Sequence, residues 1–448
     1  MENEKKSLMR ETVNMAWPSV LESVFVVFAG MVDTYMIAPM GQYAVAAVGL
    51  TGQPKYFTLS VFFSVNIAIS ALVARRKGEQ KREQANALFL TGLMYVLVLG
   101  ALLSILCVVF AENIIVFCGG NSDTTAAAVS YFRIIMGCMM FNIISLYINA
   151  AQKGSGRTKI AMYTNVTSNI VNIFCNYLLI DGHLGFPALG IQGAAIATVI
   201  GTVIACFMSI ISVFKKDSYI YLPYIIKEHI RPAMEEITVL AKMGLNFLGE
   251  MLMTRVGFMA TAILTAKLGT DPYAAHQVGM NFLNIGFAFG DGMQIAAVAL
   301  VGRSLGEKNI DKAKEYAKIT QKVGLVISLC LSAVFAFLGK PLFGLFFKQE
   351  HMMAMGVMIC IFIAVIMPIQ ICKIINSGVL RGAGDVKFTL FQSVFSITLV
   401  QPLSTWLLMM YLKLGLTGVW GSILLTQFLQ CVLLGGRYLS NKWTTKKI

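Results

Sequence analysis

The chain has 448 residues, 57% of them hydrophobic and 13% charged, with a mean hydropathy of +0.72. That much apolar surface cannot be hidden in one water-soluble core, so lipid is the solvent for most of this chain. The net charge of +14 would suit a nucleic-acid binder, but the placement of the basic residues excludes that class.

From the N-terminus, about twelve apolar stretches come near or above the roughly 20 residues that cross a bilayer. They lie at 14–38, 57–74, 87–111, 130–152, 160–180 and 191–214, then at 238–266, 273–302, 316–339, 352–380, 388–411 and 417–438. The first run is long enough to be a span and is expected to insert and remain, with no cleavable signal. Residues 215–237 carry charge, aromatics, Pro223 and Pro232. They read as a cytoplasmic linker between a first lobe, 1–214, and a second, 238–448, with a short interfacial helix around Tyr224 to Ile230. An even number of spans per lobe returns the chain to its starting side, so the lobes share one orientation about a pseudo-twofold axis along the membrane normal. The expected fold is an all-α polytopic membrane protein with 12 transmembrane helices in two six-helix lobes, related as a parallel repeat.

The basic residues fall in alternate loops. Arg75, Arg76, Lys77, Lys81 and Arg82 follow the second stretch; Lys153, Arg157 and Lys159 the fourth; Arg303, Lys308, Lys312 and Lys314 the eighth; Arg381 and Lys387 the tenth. The terminal residues Lys5, Lys6, Arg10, Arg437, Lys442, Lys446 and Lys447 fall on the same side, as do Lys215, Lys216, Lys227 and Arg231 of the linker. The opposite loops offer Lys55, Lys267, Lys340, Lys348 and Lys413. By the positive-inside rule both termini are cytoplasmic, in a multi-pass protein of the cell (inner) membrane. The nine cysteines are scattered through apolar stretches without metal-ligand spacing. They read as small buried hydrophobes, and no cofactor is expected.

The chain also contains itself twice. Ala71, Leu72, Val73, Arg75, Gly78 and Glu79 return as Ala299, Leu300, Val301, Arg303, Gly306 and Glu307; Lys153, Gly154, Gly156 and Lys159 return as Arg381, Gly382, Gly384 and Lys387. One shift of 228 residues (71 to 299, 22 to 250) also carries Glu22 onto Glu250, Gly41 onto Gly269, and Gly190 and Gly193 onto Gly418 and Gly421. Chance matches would scatter over many offsets, so the single offset points to duplication of half the chain.

An ionised carboxylate at the bilayer centre costs at least about 2.5–3.5 kcal/mol on insertion scales, so ionisable groups within spans point to function. They are Glu22 and Asp33 in the first stretch, Glu250 and Arg255 in the seventh, Asp291 in the eighth and Lys373 in the tenth. At about 100° per residue, the eleven residues from Glu22 to Asp33 return to within about 20° of one helix face. Glu22 has a twin in Glu250 and suits the common scaffold. Asp33 aligns with Thr261, breaks the symmetry, and is the better candidate for transport chemistry. Arg255 and Lys373 read as counter-charges or as side chains stretching to the interface at least as readily as they read as ligand contacts.

Asn165, Asn169, Asn172 and Asn176 form a polar stripe on one face of the fifth stretch, suited to interhelical hydrogen bonds or to lining a cavity. Pro18, Pro368 and Pro402 fall within spans and weaken their helices locally, which makes the first span a candidate moving part. No paired His/Asp or Ser/His arrangement lies in the spans, so an enzyme is not expected.

Several of these residues belong to a wider pattern. It runs through Pro18, Asp33 and Thr34, Gly41, Ala46 to Gly49, and Val73 to Arg75 with Gly78; it continues in Asn172 to Ile180, Gly185, Pro187 to Gly190 and Gly193 to Thr198. In the second half it takes in Ala274 to Gln277, Val301 to Arg303 with Gly306, and Leu380 to Gly382 with Gly384 and Asp385. With this pattern the whole chain resembles the multidrug and toxic compound extrusion (MATE) transporters. The resemblance implies two lobes around a central cavity, alternating access, and export of drug-like, often cationic small molecules against an inward flow of protons or sodium. A monomer in the lipid bilayer is expected.

The ion-coupling residues on this reading are Asp33 and Glu250. The substrate cavity is expected to be lined by Glu22, Asn142, Asn169, Asn172, Asn176, Thr198, Gln277 and Gln370. Asn176 stands where many bacterial members carry a second aspartate. Thr254 and Gln370 stand where sodium-using members place a glutamate and an aspartate, with Glu250 about one turn from Thr254. These departures favour protons as the coupling ion over sodium. The alternative reading is a flippase for lipid-linked precursors; it asks for a strongly cationic cavity, and the interior positives are few.

Overall fold

The computed structural model describes residues 2–120, 124–232, 234–347 and 349–444. Lys348, Lys446 and Lys447, counted above in the charge pattern, lie outside them. All regular structure among the described residues is helical. The first half holds α1 (Glu2–Ile37), α2 (Gln42–Gly78), α3 (Arg82–Val109), α4 (Ala111–Phe117), α5 (Thr125–Gly137), α6 (Met139–Gly154), α7 (Thr158–Leu179), α8 (Gly190–Val213) and, in the linker, the short α9 (Leu222–Lys227). The second half holds α10 (Met234–Ala266), α11 (Thr270–Gly306), α12 (Ile310–Gly344), α13 (Glu350–Gly382), α14 (Val386–Ser393), α15 (Gln401–Trp406) and α16 (Gly415–Leu439).

Ten helical stretches are long and apolar enough to cross a membrane, and the pair α5 and α6, bent by 48°, makes an eleventh if it counts as one span. The twelfth expected stretch is α7. Its 22 residues are long enough to span, but the asparagine stripe lowers their apolarity.

The chain divides into two compact units, Leu21–Gly244, and Met1–Val20 with Leu245–Ile448. The divisions fall inside α1 and α10. In the first unit the buried side chains include Phe62, Ile69, Leu72, Phe89, Phe132 and Tyr147. Tyr147 stacks on Phe89 at 5.5 Å and donates its hydroxyl to the Phe89 carbonyl at 3.0 Å. In the second unit Met15 and Ala16 of α1 join Met293, Leu300, Tyr316, Ile371, Ile375 and Trp443 in one cluster, and Phe282, Phe335, Phe343 and Trp420 belong to another. Large apolar side chains such as Val98, Ile105 and Phe337 point outward, as expected where the solvent is lipid.

The duplication persists in the backbone. Gly41 and Gly269 precede α2 and α11 with φ of +107° and +105°, a region that side chains with a Cβ avoid. A Cβ on Gly154 would lie 2.3 Å from the Ser70 carbonyl oxygen, and one on Gly382 would lie 2.7 Å from that of Val298. The basic loop after α2 is held by Glu79, which meets Arg76 at 3.0 Å, Arg75 at 3.3 Å and Lys81 at 3.4 Å. Burial works to raise the Glu79 carboxyl, yet these cations hold it below its ordinary value. Its twin Glu307 meets Lys312 at 2.8 Å and Arg303 at 3.5 Å.

Two expectations are corrected here. Lys55 and Lys340 were placed in loops; Lys55 lies within α2 and Lys340 within α12. Helix α2 runs through Pro54 from Gln42, fifteen residues before the apolar run at 57 begins. Pro402, the second residue of α15, is flanked by wide π-helical turns at Val394–Val400 and Leu407–Tyr411. A proline supplies no backbone donor, and wider turns accommodate the freed carbonyls.

Candidate functional site

Two rungs of polar contact join α1 to α7 in the first unit. At the lower rung Glu22 Oε1 accepts from Lys153 Nζ at 2.7 Å and from Asn165 Nδ2 at 2.6 Å. At the upper rung Asp33 Oδ1 accepts from Asn176 Nδ2 at 2.8 Å. Eleven residues separate the carboxylates on α1, and eleven separate Asn165 from Asn176 on α7. Both intervals make nearly whole turns, so one helix face meets the other. The two rungs lie about 16 Å apart along the helices at 1.5 Å per residue.

The upper rung is the more elaborate. Asn172, one turn before Asn176, also turns its amide nitrogen to Asp33 Oδ1 at 2.8 Å, while its oxygen accepts from the Thr198 backbone at 3.1 Å and the Thr198 hydroxyl at 3.2 Å. This orientation of the amide is the one that satisfies both of its ends. The Tyr131 hydroxyl lies near Thr198 and within electrostatic reach of Asp33, as does the half-buried Lys55 ammonium. Asp33 itself is half-buried. Its hydrogen-bond donors are neutral amides, and it forms no ion pair among the described residues.

At the matching position of the second unit the carboxylate is replaced by Thr261. Its hydroxyl donates to the Gly257 carbonyl at 3.0 Å and accepts from Gln401 at 3.3 Å. The Glu22 rung, by contrast, recurs. Glu250 Oε1 accepts from Arg381 at 2.9 Å and Ser393 at 3.0 Å, and its Oε2 accepts from Thr389 at 3.1 Å.

The structure thus gathers Asp33, Asn172, Asn176 and Thr198 into one cluster and places Glu22 in another. Asn169 lies between them on α7, its amide nitrogen buried without a hydrogen-bond partner. Asn142 is half-buried on α6. In the second unit Gln277 is exposed on α11, while Gln370 is fully buried on α13 with its amide at 3.5 Å from the Leu283 carbonyl. Arg255 is half-buried on α10. Lys373 is buried on α13, where Gln430 accepts its hydrogen bond.

Sequence reasoning missed Tyr131 and Lys55 as neighbours of Asp33. Tyr131 falls at the edge of the fourth apolar stretch, and Lys55 follows Pro54, which reads locally as a loop. Neither carries a motif of its own. The repeat offers one signal, because the positions 228 residues on are apolar, Ile359 and Leu283.

A family model described as MatE matches this chain twice, over residues 18–178 and 247–407. Among sequence relatives, an uncharacterised transporter, YisQ, of Bacillus subtilis is 26% identical and aligns over 97% of this chain and 94% of its own length. A probable multidrug resistance protein, NorM, of Thermotoga maritima is 23% identical over 99% of this chain and 95% of its own. The fold is that of a solved outward-facing multidrug resistance MATE family transporter of the MOP superfamily, with a TM-score of 0.90 at 20% identity over 98% of this chain and 97% of that one. A MOP superfamily transporter from Pyrococcus furiosus gives 0.89 at 20% identity over the same shares.

Proposed function

The chain belongs to the MatE family of membrane transporters, and on that premise we propose that it is a secondary active exporter of amphipathic, often cationic organic compounds, coupled by antiport to protons. The observation that carries this reading is the setting of Asp33, whose carboxylate is held by Asn172 and Asn176 and by no bonded cation among the described residues. Such a carboxyl can take up a proton, release it, and meet a cationic substrate. Glu22 and Glu250 are already bonded to Lys153 and Arg381, so either must part from its cation before it binds another ion. A proton moving inward supplies about 2.3 kcal/mol per 100 mV, enough for one or two protons to sustain a useful gradient.

In this reading Asn172, Asn176, Thr198 and Tyr131 set the protonation of Asp33, and Asn142 and Asn169 of the same unit contact substrate. The relatives named for multidrug resistance support drug-like cargo. The basic loops support cytoplasmic termini.

The test is ethidium efflux from drug-sensitive cells expressing the wild type, Asp33→Asn and Glu250→Gln, with and without a protonophore and with sodium varied. Efflux lost with the protonophore and in Asp33→Asn, and indifferent to sodium, is the expected result. Sodium-dependent efflux that survives Asp33→Asn and is lost in a Glu250→Gln protein still folded in the membrane would move coupling to the second unit and overturn the reading.

A further inference from the structure

Four charged side chains are fully buried among the described residues: Glu22, Glu250, Asp385 and Lys373. Three are bonded to an opposite charge, Glu22 to Lys153 at 2.7 Å, Glu250 to Arg381 at 2.9 Å and Asp385 to Arg437 at 2.6 Å. Lys373 is the exception. Its ammonium donates to the Gln430 side-chain oxygen and stands 5.8 Å from the centre of the Phe287 ring, a neutral acceptor and a cation–π face.

Of the three readings expected for this residue, ligand contact is untouched by that setting, while neither a bonded counter-charge nor a side chain stretching to the interface describes it. Lys373 lies nine residues, about 13 Å of helix, before Gly382 at the end of α13, and at 6% exposure its side chain is buried in the protein. Among the described residues it forms no ion pair, and the acids Asp291 and Glu250 act on it only across space. The fold does not need a charge here either. The matching position of the first unit is Ser145, bonded to the Ser209 hydroxyl at 2.9 Å, and the positions matching Gln430 and Phe287 are Thr202 and Leu59. Among the described residues, the duplication therefore left one buried base without a bonded ion pair in the second unit, as it left one acid, Asp33, without one in the first.

We propose that Lys373 is a second proton-carrying residue of the transport cycle: its ammonium releases a proton to water on the cytoplasmic side, and the neutral amine takes one from water on the opposite side. This rests on the proton-antiport reading given above. Gln430 suits both states, because its amide oxygen accepts from the ammonium and its amide nitrogen can donate to the neutral amine. The ionisable groups around it are Asp291 on α11, Cys431 on α16 and Glu250 on α10, all acting on it electrostatically. Glu250 is engaged by Arg381. On α12, Lys318 and Lys322 are exposed, and Gln321, which bonds the Cys372 carbonyl at 3.1 Å, does not titrate.

The experiment is ethidium transport by purified protein in liposomes under an imposed pH gradient, with rates followed from pH 6 to 8. Lys373→Arg keeps the positive charge but does not give up its proton. It is expected to match the wild type in thermal stability and ethidium binding, to lose tenfold or more of proton-driven transport, and to flatten the pH profile. Lys373→Met is expected to fail in the same way. If neither variant folds, Gln430→Leu leaves the lysine in place and is expected to move the pH profile to lower pH, because the bond lost to the ammonium is stronger than the one lost to the neutral amine. A wild-type rate and profile in Lys373→Arg, or an unmoved profile in Gln430→Leu, overturns the proposal while leaving proton antiport standing. A wild type indifferent to the pH gradient overturns both.

Discussion

Glu22 and Lys153 stand 131 residues apart in the chain and 2.7 Å apart in space, and the contact recurs between Glu250 and Arg381, again 131 residues apart, at 2.9 Å. A third residue follows the same rule: Asn165 and Ser393 each lie 143 residues beyond their glutamate and donate to its Oε1. Duplication preserved a three-residue contact, which is why these glutamates read as parts of the scaffold of each unit.

Removing one member of such a pair leaves a charge buried alone. Glu250→Gln is expected to destabilise the protein by about 3–5 kcal/mol. Adding Arg381→Met to that variant should recover part of the loss, because no charge then remains buried. Thermal unfolding of the purified variants reads both effects, and a double variant less stable than Glu250→Gln would contradict the account.

The two rungs differ at one position. Thr389 donates to Glu250 Oε2 at 3.1 Å, whereas its counterpart in the first unit is the buried Ala161, and Glu22 Oε2 is buried without a partner. Ala161→Ser should supply the missing donor and stabilise by about 1 kcal/mol, while Thr389→Ala should cost about 1–3 kcal/mol. Opposite shifts in melting temperature for these two changes are the expected outcome; a loss in both would mean that the pocket around Ala161 has no room for a hydroxyl.

At the upper rung, Asn176→Ala deletes a donor to the Asp33 carboxylate. A hydrogen bond to a charged group contributes about 1.5–3 kcal/mol, or roughly tenfold to more than a hundredfold in the balance between ionised and protonated forms. Efflux at a fixed pH gradient is therefore expected to fall by tenfold or more with the protein still expressed and folded. Unchanged efflux in Asn176→Ala would remove this amide from the proposed coupling site.

Glu79 predicts a pH dependence. Its carboxyl sits below the ordinary value of 4.5 in the folded protein, so its contribution is complete above the unfolded value and is lost as pH falls through the folded one. Glu79 is partly exposed and its ion pairs are screened, so Glu79→Gln should cost only about 0.5–1 kcal/mol at pH 7. Melting curves of wild type and variant should converge as the pH falls below the folded value. A gap that widens on acidification would reverse the sign of this argument.

Much of the molecule was legible in the sequence. Transfer of an apolar stretch into lipid is a local property, additive along the chain, so the helices and the two-fold repeat follow from hydropathy and from one constant offset. The helical repeat angle likewise put Glu22 and Asp33 on one face and the four asparagines on another. Helix α7 escaped the apolar test for the same reason that it matters, since the polar stripe that lowers its hydropathy supplies the donors to both carboxylates.

Which donor meets which acid, however, depends on how far one helix slides along another, and no local property encodes that register. Only the tertiary structure assigned Asn165 to Glu22 and Asn176 to Asp33, bonded Glu250 to Arg381, and brought Lys55 within the field of Asp33. It also separated two buried residues that look alike in sequence, a glutamate neutralised by its lobe and a lysine left with an amide and an aromatic ring. The sequence by itself determined the solvent, the helices and the duplication, because these are sums over neighbouring residues. The partners of each buried charge were decided by packing, because electrostatic compensation in a low-dielectric interior is settled by contacts between residues 52 to 143 positions apart.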